Sequence, residues 1–256
     1  MESVDGGNER IAQEIVRRLR AEVRLEQRVH SVERVAGGAL RIGTRHRNQM
    51  SEHEFDYIVV ALPNSLLPGI CFHGERLAEA LQRHHSHYNY PAHYLRITLL
   101  FDRPFWRPRL GESYCMLDAF GGCCLYDESS REPESQHGVL GWLLGGQPAV
   151  DASTLSDRQL IDQALASLPN FLADGRRCFI EGRVHRWIDA VNGIPGGATP
   201  QSLERRHRPE PVEHPNLFVV GDYLFDSTLN GVLDSATYVA QALAIEMSAE
   251  NYGNLP

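Results

Sequence analysis

The sequence predicts a mixed α/β fold in which a segment of antiparallel strands and helices is inserted between two pieces of a strand-and-helix domain. Three observations predict it. Residues 217–220 (LFVV) form a short apolar run followed by Gly221, Asp222, a loop and a long helix from about Asn230. Such a run is what a buried parallel strand looks like. Residues 55–62 (FDYIVVAL) form a second buried-strand pattern, stopped by Pro63, because proline cannot donate to a sheet. Between the two lies a series of short apolar runs separated by turn residues, as in an antiparallel sheet.

Taken in order, residues 5–8 (DGGN) read as a capping turn before a helix over 11–23, with Ile11, Ile15, Val16 and Leu19 at helical spacing. Residues 29–35 and 39–44 alternate around Gly37-Gly38, a hairpin signal. A helix around 75–83 leads into HHSHYNYP, read as a solvated helix end and loop. Strands are expected at 94–101, 114–117, 123–126, 139–144 and about 179–187, the first of them followed by Pro104-Phe105-Trp106. Residues 154–157 (TLSD) cap a helix over 158–168 with Leu160, Ile161, Ala164, Leu165 and Leu168 on its apolar side. Residues 188–214 are rich in glycine, proline and charge and read as a linker, the charge run 204–210 being solvated. The expected division is 1–70 and 189–256 for the two pieces of one domain and 71–188 for the insertion.

A chain of 256 residues has ample material for a core. Its net charge of -8 argues against a nucleic-acid partner, which calls for a basic face. The five cysteines are odd in number and contain no CxxC pair, so a reducing, cytoplasmic compartment is expected. No apolar run reaches the ~18 residues of a membrane span. The polar, acidic first residues do not resemble a signal peptide.

The chemistry centres on the first stretch. Gly221 lets the chain leave its strand tightly and lets a ligand approach the backbone. Asp222 is placed to accept hydrogen bonds from hydroxyls. The helix start at Asn230-Gly231 offers free N–H groups and a positive dipole end to an electron-rich oxygen. A strand–loop–helix unit that only packs has the same pattern. His84, His85, His87 and His93, with Cys115, Cys123 and Cys124 downstream, raise the question of zinc or copper. Adjacent strand residues face opposite ways, however, so Cys123 and Cys124 do not ligate together, and no metal site is expected. There is no GxSxG elbow. Asp226, Ser227 and Asp234 read as loop and capping residues.

Residues 215–247 resemble the C-terminal signature of the flavin-containing amine oxidase and phytoene-desaturase-like superfamily: apolar strand, Gly-Asp or Gly-Glu, loop, glycine-containing helix start, then alanine and serine. Gly231, Ser235 and Ala236 stand at the expected places. The order of Gly-Gly turn, helix, hairpin and apolar strand ending in Ala-Leu-Pro resembles the middle of that family's FAD domain. The strand ending in Pro-Phe-Trp resembles the sheet that roofs its substrate cavity. The resemblance implies part of an FAD-binding Rossmann-like domain with an inserted substrate domain of mixed antiparallel sheet and helices.

It further implies FAD as cofactor. Gly221, Asp222, Thr228, Leu229, Asn230, Gly231 and Val232 would lie along the ribityl–pyrophosphate and flavin side, with the Val29 backbone at the adenine and Ala61 and Pro63 near the dinucleotide. Trp187, followed by Pro195-Gly196-Gly197, would give the flavin ring a flat apolar wall at the catalytic centre. For Val29 and Trp187 the alternative is a residue of the core. Tyr94, Phe105, Trp106, Trp142 and Trp187 would line an apolar cavity for a small-molecule substrate. The implied activity is that of an FAD-dependent oxidoreductase, amine-oxidase-like, moving a hydride from a small amine or related substrate to flavin N5.

Two features depart from the family. Its active-site lysine has no counterpart, since the chain has no lysine, and Arg96 cannot act as a neutral base. A desaturase, dehydrogenase or isomerase role therefore stays open. There is also no GxGxxG turn to cradle a pyrophosphate. Three readings compete: a fragment, one subunit of a split enzyme, or a degenerate, non-catalytic relative that pairs with a flavoprotein. Each leaves strand edges and apolar surface open, so a partner chain carrying the GxGxxG half, or a homodimer, is expected.

Overall fold

The computed structural model describes residues 4, 7–131, 134–199 and 201–253. The chain opens with α1 (Glu9–Arg18), shorter than the expected helix because Leu19 turns extended, with ψ 138°. Asn8 precedes it without a side-chain capping bond, and Asp5 and Gly6 of the expected turn lie outside the described residues. No residue of α1 is buried, so Ile15, Val16 and Leu19 stand exposed.

The hairpin forms as β1 (Arg28–Arg34) and β2 (Leu40–His46). Gly37 and Gly38 turn it at φ 88° and 94°, where side-chain-bearing residues are strained. A third strand, β3 (Gln49–Phe55), pairs with β2 from Leu40↔Phe55 to His46↔Gln49. The expected strand over 55–62 is therefore divided. Phe55 closes β3, the chain turns at Asp56, and the buried run is β4 (Ile58–Val60) alone. β5 (Cys71–Phe72) joins β1 in parallel and completes a sheet of order β3-β2-β1-β5.

Next, α2 (Glu75–His87) runs four residues further than expected. His84 is on its core face, 4% exposed, where burial pushes the imidazole down to about 3. It is not part of a solvated end.

The five-stranded antiparallel sheet has the order β10-β6-β9-β8-β7. Its strands are β6 (Pro91–Phe101), β7 (Tyr114–Leu117), β8 (Cys123–Asp127), β9 (Gly138–Gly145) and β10 (Phe179–Asn192). Strand parity divides the faces. Leu95, Ile97, Leu99, Phe101, Cys123, Leu125, Leu140, Trp142 and Leu144 form one core with Ala149 and Ala152 of α3 (Gln147–Ser153) and Leu160 and Ala164 of α4 (Asp157–Ala166). α4 begins with the capping box Ser156–Gln159. Trp106 is buried in this core and Phe105 packs against it. Phe105, Trp106 and Trp142 thus lie on the helix side of the sheet and not on the open face; Tyr94 and Trp187, paired across β6 and β10, are on that open face.

The expected linker is partly folded. It contains the end of β10 and the short helix α5 (Leu203–His207). His207, Glu210 and His214 are buried, and the Glu210 carboxylate accepts the N–H groups of Glu213 and His214 at 2.7 and 2.9 Å. A charge run closes a turn here instead of facing solvent. β11 (Leu217–Val219) then pairs in parallel with β4, and α6 (Leu229–Gly253) follows. These strands share a second core with Val32, Leu40, Leu77, Leu81 and Tyr223. Among the described residues no helix is long and apolar enough to cross a membrane.

Candidate functional site

The ends of β4 and β11 fix the site. Val219 pairs with Val60, and the Val220 N–H donates to the Val60 carbonyl at 3.0 Å. The two strands therefore finish level, and the segments that leave them, Ala61–Leu62–Pro63 and Gly221–Asp222, emerge side by side. Pro63 and Asp222 meet in a narrow crevice with Asn64, Asp189, Asn192 and Tyr223. β10 reaches this crevice because it runs on past Trp187 with an irregular register, Asp189 taking φ 57°. The Ser227 hydroxyl donates to the Asn192 carbonyl and ties the loop to that strand.

Gly221 is extended, and a Cβ on it would overlap the Tyr223 ring. Asp222 turns one carboxylate oxygen to the Tyr223 N–H at 2.9 Å. Thr228 is the N-cap of α6: its carbonyl accepts from the Val232 N–H and its hydroxyl oxygen accepts from the Gly231 N–H, both at 3.2 Å. The same hydroxyl donates to the Asp226 carboxylate. Leu229, Asn230 and Val232 are exposed on the first turn, whereas Gly231 is buried against Asp226. Because the Thr228 hydroxyl is engaged as a cap, Thr228→Ala lowers stability by about 1 kcal/mol, and Thr228→Ser retains most of it. Urea midpoints of the two variants check this, and equal midpoints would remove the capping role.

Val29 and Ala61 come together elsewhere, in an apolar groove of about 740 Å3 with Val32, Ile42, Val59 and Leu66. It lies between the first sheet and β4. Trp187 is 39% exposed, stacks on His185 at 5.6 Å and 14°, and stands opposite Tyr94. On the same face Arg96 is held in an ion pair with Glu128, donates to the Thr98 hydroxyl at 3.1 Å and lies 5.8 Å from the Tyr126 ring centre. Its charge is committed within the sheet.

Cys123 is buried and Cys124 is on the other face. Among the described residues no group of three or more His, Cys, Asp or Glu could hold a metal ion. Two residues that matter to the turn had no assigned role in the sequence reading. Ser235 and His207 are both fully buried directly behind Gly221. Ser235 carried a signal, its place four residues after Gly231. His207 carried none, since it sits in a charge run.

A family model described as flavin containing amine oxidoreductase matches residues 3–244, and the chain belongs to that family. The family's cofactor is FAD. No curated protein matches the sequence. Among solved structures, a putrescine oxidase bound to putrescine is similar with a TM-score of 0.63 at 15% identity, over 95% of this chain and 53% of that one. Cyclohexylamine oxidase from Brevibacterium oxydans IH-35A is similar with a TM-score of 0.60 at 13% identity, over 86% of this chain and 48% of that one. At these identities the likeness concerns the fold. The chain spans about half the length of the solved structures it matches.

Proposed function

We propose that the chain is the flavin-and-substrate side of an FAD-dependent, amine-oxidase-like oxidoreductase that oxidises a small amine or related substrate by hydride transfer to flavin N5. The observation that carries this reading is the convergence of Pro63, Asp222 and the end of β10 in one crevice, to which Ser227 ties the loop that leads into α6. Gly221 and Asp222 would hold the ribityl side. The first turn of α6, exposed at Leu229, Asn230 and Val232, would face the electron-rich edge of the ring with the N–H groups of Leu229 and Asn230 and its positive dipole end. Val29 and Ala61, in their groove, suit the adenine end. Bound there, FAD supplies a two-electron acceptor.

The chain's own part is to orient, to exclude water and to set the field. Trp187 and Tyr94 on the open sheet face offer a flat apolar wall to a substrate. Arg96, paired with Glu128, does not serve as base. In this reading residues 1–70 and 189–256 form the cofactor side and 71–188 the substrate side. The five free cysteines support a cytoplasmic setting. The absence of a GxGxxG turn and the two-membered β4–β11 pair support a further segment or partner chain that carries the pyrophosphate cradle. They also favour a second reading, a non-catalytic subunit that completes a flavoprotein.

The purified chain is expected to retain flavin absorbance through desalting after incubation with FAD. Asp222→Ala is expected to weaken that binding by about 10- to 100-fold, the worth of a hydrogen bond to a charged group. Release of hydrogen peroxide with a panel of amines then separates oxidase from dehydrogenase. A colourless chain that never takes up FAD sinks the reading for this chain alone.

A further inference from the structure

We propose that Ser235 and His207 are positioning residues for the Gly221-Asp222 turn, the imidazole orienting the serine hydroxyl so that its oxygen grips the Gly221 amide. This rests on the cofactor reading above and adds to it how the turn is held. The Gly221 N–H lies 3.0 Å from Ser235 Oγ, Ser235 Oγ lies 3.1 Å from His207 Nε2, and His207 Nδ1 lies 2.8 Å from the Leu203 carbonyl.

What each group can do fixes two of these bonds. An amide N–H can only donate, so the Ser235 oxygen accepts from Gly221. The Leu203 carbonyl can only accept, so a ring proton is on His207 Nδ1. A serine oxygen can accept twice, and it is burial, which favours the neutral imidazole, that leaves Nε2 bare to take the Ser235 hydroxyl proton. The neutral ring is then in one tautomer. Both side chains are 0% exposed, and the ring is packed between Tyr238 at 4.5 Å and Phe225 at 5.7 Å. Burial pushes the imidazole below its ordinary value, the Leu203 carbonyl pulls it part of the way back, and the Arg206 guanidinium pushes it down again.

The three residues come from three elements. Gly221 leaves β11, Ser235 is in the second turn of α6, and His207 ends α5. The relay thus fastens the exit of the strand to the helix that follows the loop, so the turn carrying Asp222 and the exposed start of α6 keep one relative placement. Removing the hydroxyl leaves two buried groups without partners, the Gly221 N–H and His207 Nε2, and the turn is released.

The test uses the full chain labelled with 15N. Long-range 1H–15N spectra of the unaltered protein read the His207 tautomer, amide hydrogen exchange reads Gly221, and FAD titration reads the cofactor affinity. The expected results are a bare Nε2, and, in Ser235→Ala and His207→Phe, Gly221 exchange at least about tenfold faster with FAD binding about tenfold weaker. His207→Gln, which returns an acceptor near the Nε2 position, is expected to restore both. Should Ser235→Ala fail to fold, the tautomer and the two His207 variants still decide. A proton on Nε2, or unchanged Gly221 exchange, overturns the relay. Faster exchange with unchanged FAD affinity overturns the positioning role and leaves the cofactor reading standing. An unaltered chain that takes up no FAD overturns the positioning role together with the cofactor reading, while the tautomer and exchange data still report the relay.

Discussion

Alanine in place of Trp142 lowers the unfolding free energy by about 3–5 kcal/mol and leaves FAD retention by the folded protein unchanged. The indole is wholly buried, facing α3 and α4, between the cross-strand neighbours Ile97 and Leu125. Its Nε1–H donates to the Ser167 hydroxyl at 2.9 Å, and that hydroxyl donates to the Ala164 carbonyl at 2.8 Å. The ring therefore also fastens the C-terminal end of α4. Truncation removes the contacts, leaves a cavity that a sheet pinned on both sides cannot close, and takes from the partly buried Ser167 hydroxyl its indole donor. Trp187 makes the contrast. It is half exposed on the opposite face, so its loss costs little stability and acts on the site. Urea midpoints and flavin absorbance on both variants separate the two faces. A Trp142→Ala protein with an unchanged midpoint and an altered substrate KM would put that ring in the cavity.

The orientation of these tryptophans shows where the sequence stopped being informative. The strands of the insertion were legible, because each is a short apolar run between turn residues. Which face the helices would cover was not. β9 (GVLGWLLG) is apolar on both sides, and only tertiary packing chooses between them. β11, the Gly221-Asp222 turn and α6 were legible for the same local reasons: a fully apolar run, a glycine, then a long helix. α4 announced itself by its capping box. β3 did not, because QMSEHEF is a mostly exposed edge strand with almost no apolar alternation. His207 and Glu210 were hidden by composition. A run of charged residues reads as solvated, yet Glu210 buries its carboxylate on the amides of its own turn and His207 buries its Nε2 on a partner that sequence distance conceals. Ser235 lies 28 residues beyond His207. Of the proposed cofactor contacts, Pro63 and Asp222 meet in one place and Val29 and Ala61 in another, a separation set by the turns after β4 and not by any local pattern.

Gly231→Ala is expected to cost about 2–4 kcal/mol, combining overpacking with the loss of a helix cap. In the first turn of an unobstructed helix the same exchange would gain up to about 1 kcal/mol, so the sign itself is the test. A Cβ at 231 would overlap the Asp226 carbonyl oxygen and stand 2.6 Å from its carboxylate oxygen and 3.0 Å from its amide nitrogen. Two of these atoms are backbone and cannot swing aside as a side-chain tip can. Asp226 is itself held. Its carbonyl accepts the Thr228 N–H at 2.8 Å and its carboxylate accepts the Thr228 hydroxyl. Room for a methyl group therefore comes only from opening the loop over 225–228, which also withdraws Thr228 from the Gly231 amide. That loop joins Asp222 to the start of α6, so FAD retention falls with stability. Excess FAD restores little, because a ligand stabilises only in proportion to its occupancy of the folded state, and this substitution damages the part of the folded state the cofactor needs. Urea unfolding with and without saturating FAD reads both effects. A midpoint equal to or above that of the unaltered chain would mean that the loop stands clear of the helix and that Gly231 is not the residue that brings them together.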